Sequence, residues 1–366
     1  MRAAPDIQPV PYTPTLEIPA ADEAETLQAI VAQLRRISET VFKDSGHAER
    51  SVHAKSHGLL RGEMRVLDDL PDMLKQGVFS RPGTYPAVMR LSTNPGDILD
   101  DSISVPRGLA LKIIGVEGER LTGAAGQTQD FVLVDAPAFA APDAKAFLKT
   151  LKLLAATTDT PQALKKALSA ILRGAETVVE SVGGKSPTLI SLGGHPETHI
   201  LGDTFYSQVP LRYGAYVAKL CVAPGSAELK ALTKAPLNVN GKPNGLRDAV
   251  VDFFRRHGGV WDVKVQLNTD VAAMPIEDAS VPWPEDRSPY LTVAQVSVPP
   301  QDGWSEAKHD EIDDRMAFSP WHGIDAHRPL GAIMRVRKTA YESSSHFRAE
   351  RNGTTIAEPS TAQALR

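Results

Sequence analysis

Between Pro329 and Arg351 the chain has helical tendency and carries arginines and a tyrosine on one stripe. At about 100° per residue, Arg337, Tyr341 and Arg348 fall at roughly 0°, 40° and 20° around the axis, so two guanidinium groups stand beside one phenol. Such a stripe can hold a phenolate and an anion together. A phenol that binds ferric iron must be ionised, although its unperturbed pKa is about 10, and an arginine four residues earlier lowers that cost. Tyrosine is one of the few axial ligands that proteins offer to haem iron. The alternative is a cation–phenol contact on a helix surface.

A second group of reactive types lies near the other end of the chain. His53 sits in Glu49-Arg50-Ser51-Val52-His53-Ala54-Lys55-Ser56-His57-Gly58, directly before a strand-like run. A histidine near neutral pH can accept one proton from a peroxide and return it to the leaving oxygen. An ordinary loop histidine is the alternative. In Val88-Met89-Arg90-Leu91-Ser92-Thr93, period-two geometry sends Arg90 and Ser92 to one strand face. A buried arginine there needs an anionic partner, either a ligand carboxylate or an acidic side chain.

These residues need elements to bring them together. Leu27, Ile30, Leu34 and Ile37 mark an amphipathic helix across residues 20–42. Short β-type runs follow at residues 59–67, 87–93, 108–114 and 131–134. Residues 143–172 read as two helices, and residues 213–222, 261–268 and 290–298 as further strands. The total is about eight strands around a helical insert, which suits a closed antiparallel barrel. The expected fold class is therefore α+β, with helices around an antiparallel β-barrel. Residues 1–19, scattered with prolines, read as an arm, residues 20–352 as a single domain and residues 353–366 as a tail.

The bulk properties narrow the partners. The chain has 366 residues, 42% of them hydrophobic, and a formal net charge of −4, so it carries no basic field for nucleic acid or an anionic membrane. A diffusible small substrate suits it better. Cys221 is the only cysteine, which excludes an intrachain disulfide or a cysteine-built zinc or iron–sulfur site and fits a reducing compartment. The first residues lack a continuous hydrophobic segment and no membrane span is legible, so a cytoplasmic location is expected. Homo-oligomerisation stays open.

Taken in order, the segments resemble the catalases. Arg50-Ser51-Val52-His53-Ala54-Lys55 looks like the distal histidine motif and Arg90-Leu91-Ser92-Thr93 like the Arg-Phe-Ser-Thr strand. Pro106-Arg107-Gly108-Leu109-Ala110-Leu111-Lys112 looks like the Pro-Arg-Gly segment, and Arg337-Lys338-Thr339-Ala340-Tyr341 like the proximal signature. The resemblance implies a b-type haem with its iron on Tyr341 and Arg337 supporting the phenolate. It also implies His53 as distal acid–base with Ser92 behind it, Val52 over the haem, Phe147 stacked on it, and Arg50, Arg90 and Arg348 on its propionates.

Two departures stand out. Aligned without gaps over Asp130-Phe131-Val132-Leu133-Val134-Asp135-Ala136-Pro137, the distal asparagine of catalases corresponds to Val134, with Asp135 beside it as a candidate catalytic carboxylate. Loss of that amide shifts the expectation from peroxide dismutation toward peroxidase chemistry or organic hydroperoxides. Ser344 and Ser345 stand where catalases carry Thr-His, and the chain resembles the short catalase-related proteins. The expected activity is a haem-dependent oxidoreductase acting on hydrogen peroxide or organic hydroperoxides with a small electron donor. A fatty-acid hydroperoxide isomerase and a non-catalytic haem carrier are the alternatives, and Val52, in place of the isomerases' threonine, leans away from the isomerase. A Ser92–His53–Asp135 hydrolase triad lacks a nucleophile elbow, and glycines and a proline interrupt any zinc helix through His195 and His199.

Overall fold

A computed structural model describes residues 7–156 and 197–359. Nine strands appear in the order β1 (Ser56–Val66), β2 (Gly83–Thr93), β3 (Arg107–Ile114), β4 (Thr128–Val134), β5 (Phe205–Tyr206), β6 (Leu211–Tyr213), β7 (Tyr216–Pro224), β8 (Gly259–Leu267) and β9 (Leu291–Val298). Each pairs antiparallel with its neighbours, and β5 bridges β4 to β7. The ring therefore closes with eight strands, and β6 is an extra hairpin arm on β7. Closure removes the open edges that would otherwise recruit another chain.

Alternation decides which side chains fill the barrel. Trp261, Val263, Val265 and Leu267 of β8 join Leu60 and Met64 of β1, Met89 and Leu91 of β2, and Leu109 and Leu111 of β3 in one buried core. The intervening residues of β1 to β4 face outward, where Leu59, Val88, Ala110 and Ile114 meet Ile312, Met316 and Phe318 in a second cluster. The anticipated run over residues 213–222 divides into β6 and β7, with Tyr213 paired to Tyr216 across a tight turn at Gly214.

Helices α1 (Glu23–Ser45), α2 (Ala144–Ala156), α3 (Gly245–Phe254) and α4 (Ala332–Asn352) pack around the barrel. The apolar stripe of α1, Ile30, Leu34, Ile37 and Val41, meets Leu151 of α2 and Val336 and Ala340 of α4. Of the two helices expected across residues 143–172, α2 is the first, and the second lies outside the described residues. The sequence reading did not anticipate α3. Arg335, at the start of α4, binds Glu23 at 2.6 Å, Glu17 at 2.7 Å and Glu277 at 2.9 Å. This network ties α4 to the N-terminal arm and to α1, and so fixes which face of α4 turns toward the barrel. Among the described residues no helix is long and apolar enough to cross a membrane.

Candidate active site

A cavity lies between the outer wall of β2 to β4 and the inner face of α4. Counting the part open to solvent, it spans about 580 Å³. Arg50, Val52, His53, Arg90, Ser92, Tyr341 and Arg348 all line it. Residues from three distant segments of the sequence thus share one space.

His53 occupies the short loop that leads into β1. Its φ of 56° lies in the left-handed region, rare for a residue with a side chain. Its backbone N–H donates to Asn94 O at 2.6 Å, and Nδ1 lies 3.1 Å from Ser92 Oγ in a hydrogen bond. A Cβ placed on Gly108 would come within 2.4 Å of the imidazole Cε1, so only glycine leaves the ring its place. Burial, with the positive charges of Arg90 and Arg337 adding to it, pushes the His53 pKa down to about 3. At neutral pH the ring is uncharged, with Nδ1 engaged by Ser92 and Nε2 left to take a proton.

Tyr341 borders the cavity from α4. Arg337, one turn earlier, donates from Nη2 to the phenol oxygen at 2.7 Å, so a guanidinium charge stands against that oxygen. Ser344, one turn later, accepts from the backbone N–H of Ser51 at 3.2 Å, linking α4 to the histidine loop.

Arg50, Arg90 and Arg348 converge on Asp313, an acid that the sequence reading missed, the first two at its carboxylate and the third at its backbone carbonyl. Asp313 sits in a π-helical turn, His309–Asp314, and is 2% exposed. Arg50 donates to it at 2.8 Å, Arg90 donates through Nε, and Ser56 Oγ donates at 2.6 Å. Arg348 donates to the Asp313 carbonyl, while its Nε is buried with no hydrogen-bond partner. Burial would raise the Asp313 carboxyl, but Arg90, Arg50 and Ser56 together hold it below the usual carboxylate range. The only sequence signal was an acid-rich run, Asp310-Glu311-Ile312-Asp313-Asp314, in which nothing singles out the third acid.

Register places Val134 opposite Gly108 and Val132 opposite Ala110, so Val134 lies on the cavity side of β4. Asp135, just past the strand, accepts from the backbone N–H of Arg107 at 3.1 Å, tying β4 to the start of β3. It is close enough to raise the affinity of His53 for a proton. Phe147 of α2 packs edge-to-face on Phe139 at 5.2 Å, between the α1–α4 cluster and a patch with Met334. Neither Val134, Asp135 nor Phe147 is among the residues lining the cavity.

A closed antiparallel β-barrel with surrounding helices is a catalase-like fold. Solved structures agree. The chain is similar to a fungal catalase, with a TM-score of 0.59, 17% identity and coverage of 87% of this chain and 65% of that one. It is also similar to catalase A from Saccharomyces cerevisiae, with a TM-score of 0.58, 19% identity and coverage of 86% and 63%. For a bacterial catalase the values are 0.57, 17%, and 98% and 68%. The chain thus spans about two thirds of the length of these catalases, and the likeness is one of fold. No protein-family model matches the sequence, and no curated protein does.

Proposed function

We propose that the protein binds a b-type haem through Tyr341 and acts as a peroxidase or catalase-related oxidoreductase on hydrogen peroxide or organic hydroperoxides. The observation that carries this reading is the shared cavity, with a neutral, half-buried His53 on one wall and an arginine-supported Tyr341 on another. The donor set fits the cofactor. Arg50, Arg90 and Arg348 suit two propionates, the orphaned Nε of Arg348 calls for an acceptor, and Val52, Ala110, Val132 and Phe318 offer an apolar bed for a flat ring.

Bound there, haem supplies redox chemistry at its iron. The chain's own residues supply proton management and orientation. Neutral His53 accepts the proton of an incoming hydroperoxide and returns it to the departing oxygen, while Ser92 fixes the ring. The Arg337 guanidinium offsets the negative charge that a ligating phenolate carries. Arg50, Arg90 and Arg348 orient the ring by its carboxylates. By the resemblance to catalases, Val134, just outside the cavity lining, replaces a polar amide. That favours organic hydroperoxides over efficient dismutation.

The test is peroxide consumption by haem-loaded protein and its His53→Ala variant. General acid–base assistance contributes about 10²–10⁴-fold, so the variant should lose at least that lower figure while retaining haem. Full activity in the variant contradicts the assignment. Analysis of products separates a peroxidase, which consumes a reducing donor, from a hydroperoxide isomerase, which does not.

A further inference from the structure

Asp313 has no part in the proton chemistry, yet it is the most heavily bonded acid beside the cavity. Two cavity arginines and a serine hydroxyl donate to its carboxylate, and a third arginine donates to its carbonyl. Even so, the arginines are short of negative charge. The Arg50 guanidinium is held well below its ordinary pKa by burial and by the neighbouring charges of Arg348 and Arg90, against the opposing Asp313 carboxylate. Burial likewise pulls Arg348 down to about 10.

Asp314 and Glu49 favour the charge on Arg348 as well, but neither bonds a cavity arginine. Asp314 is engaged by His47 at 3.0 Å, and burial pushes the Glu49 carboxyl up, toward its neutral form. His309 stands 3.8 Å from the far oxygen of Asp313 and brings no negative charge. Arg50 and Arg90 share the one Asp313 carboxylate, and Arg348 meets only its backbone carbonyl, so positive charge outweighs that carboxylate on the cavity wall.

We propose that Asp313 is a built-in counter-ion of the cavity: its carboxylate fills one of the anion positions offered by the cluster of Arg50, Arg90 and Arg348, and so limits the negative charge an incoming ligand must bring. The proposal rests on the haem reading for the identity of that ligand, a dicarboxylate porphyrin. Asp313 is a positioning and selectivity residue that touches no reacting atom. It competes with ligand carboxylates for Arg50 and Arg90, and it makes this cluster of guanidiniums, two of them buried, tolerable before any ligand arrives.

The test compares metal-free protoporphyrin IX with its dimethyl ester, two ligands with the same ring that differ only in their two carboxylates. Fluorescence titration reads the preference for the diacid in the wild type, Asp313→Asn and Asp313→Glu. The amide keeps the shape and removes the charge, so the preference should rise about tenfold in Asp313→Asn, within the range of coupling seen for close charge pairs. Asp313→Glu should keep the wild-type preference. A preference that is unchanged or lower in Asp313→Asn overturns the proposal.

Thermal melts of the unloaded proteins in increasing formate give a second reading. Asp313→Asn should melt lower than wild type and regain stability in formate more steeply, because the external carboxylate fills the vacated anion position. No formate response, or failure of the variant to fold with formate present, also overturns the proposal. If the wild type takes up neither porphyrin, the haem reading fails, and the formate arm still decides on Asp313 alone.

Discussion

His53 carries a cost that its surroundings must offset. A side chain in the left-handed region stores about 1–3 kcal/mol, and such strain persists only where neighbours over-determine it. Here the Asn94 carbonyl, Ser92 and the bare face of Gly108 do so. Gly108→Ala should therefore act on the histidine before it acts on the fold. Its new Cβ would stand 2.4 Å from the imidazole, closer than any packing allows, so the ring must shift. A displacement of about 1 Å can cost about a hundredfold in rate. The expected outcome is that loss in peroxide turnover with haem uptake intact. Turnover equal to wild type would mean that the placement of His53 does not govern the reaction.

At the scale of elements, the wall of the cavity is held by a strap of chain. The backbone N–H of Ala357 donates to Arg315 O at 3.0 Å, and Glu358 reaches Lys112 and accepts from Thr128 Oγ1 at 2.8 Å. His322 Nδ1 lies 3.3 Å from Asp130 and 3.2 Å from Glu358. Lys112 closes the quartet, 2.8 Å from Asp130, and the segment so pinned carries Phe318 to the cavity. Burial would lower the His322 pKa, but Asp130 and Glu358 override it and raise the value to about 9.

The sign for stability follows from linkage. A histidine raised from 6.5 in the unfolded chain to about 9 in the folded one contributes stability that is fully present below pH 6.5 and lost as pH climbs through 9. Wild-type melting temperature should decline across that window, and His322→Gln should decline less. Equal slopes in the two proteins would show that His322 does not carry the proton.

At the scale of the whole molecule, local pattern and long-range pairing contributed differently to what could be read in advance. Strands with strict alternation, such as β8, and helices with an apolar stripe, such as α1, were legible because their period is written in consecutive residues. The barrel's closing strand was not. At two residues, Phe205–Tyr206 is too short to show a period, and only its pairing with both β4 and β7 makes it a strand. The same limit applied to the site. His53, Ser92, Arg90, Arg348 and Tyr341 were singled out by type and spacing and share one cavity, whereas Asp313 becomes visible only when a π-turn carries it to two arginines from other segments. Which side of β4 Val134 takes was likewise a matter of register, set by the pairing of Gly108 with Val134, and neither it nor Asp135 lines the cavity.

The central claim is that this barrel holds a haem by Tyr341, and the absorption spectrum of the haem-reconstituted protein beside that of Tyr341→Phe tests it most directly. A high-spin ferric tyrosinate spectrum in the wild type, lost or replaced in the variant together with weakened haem retention, is the predicted result. No Soret band in the reconstituted wild type, or identical spectra in the two proteins, would contradict it.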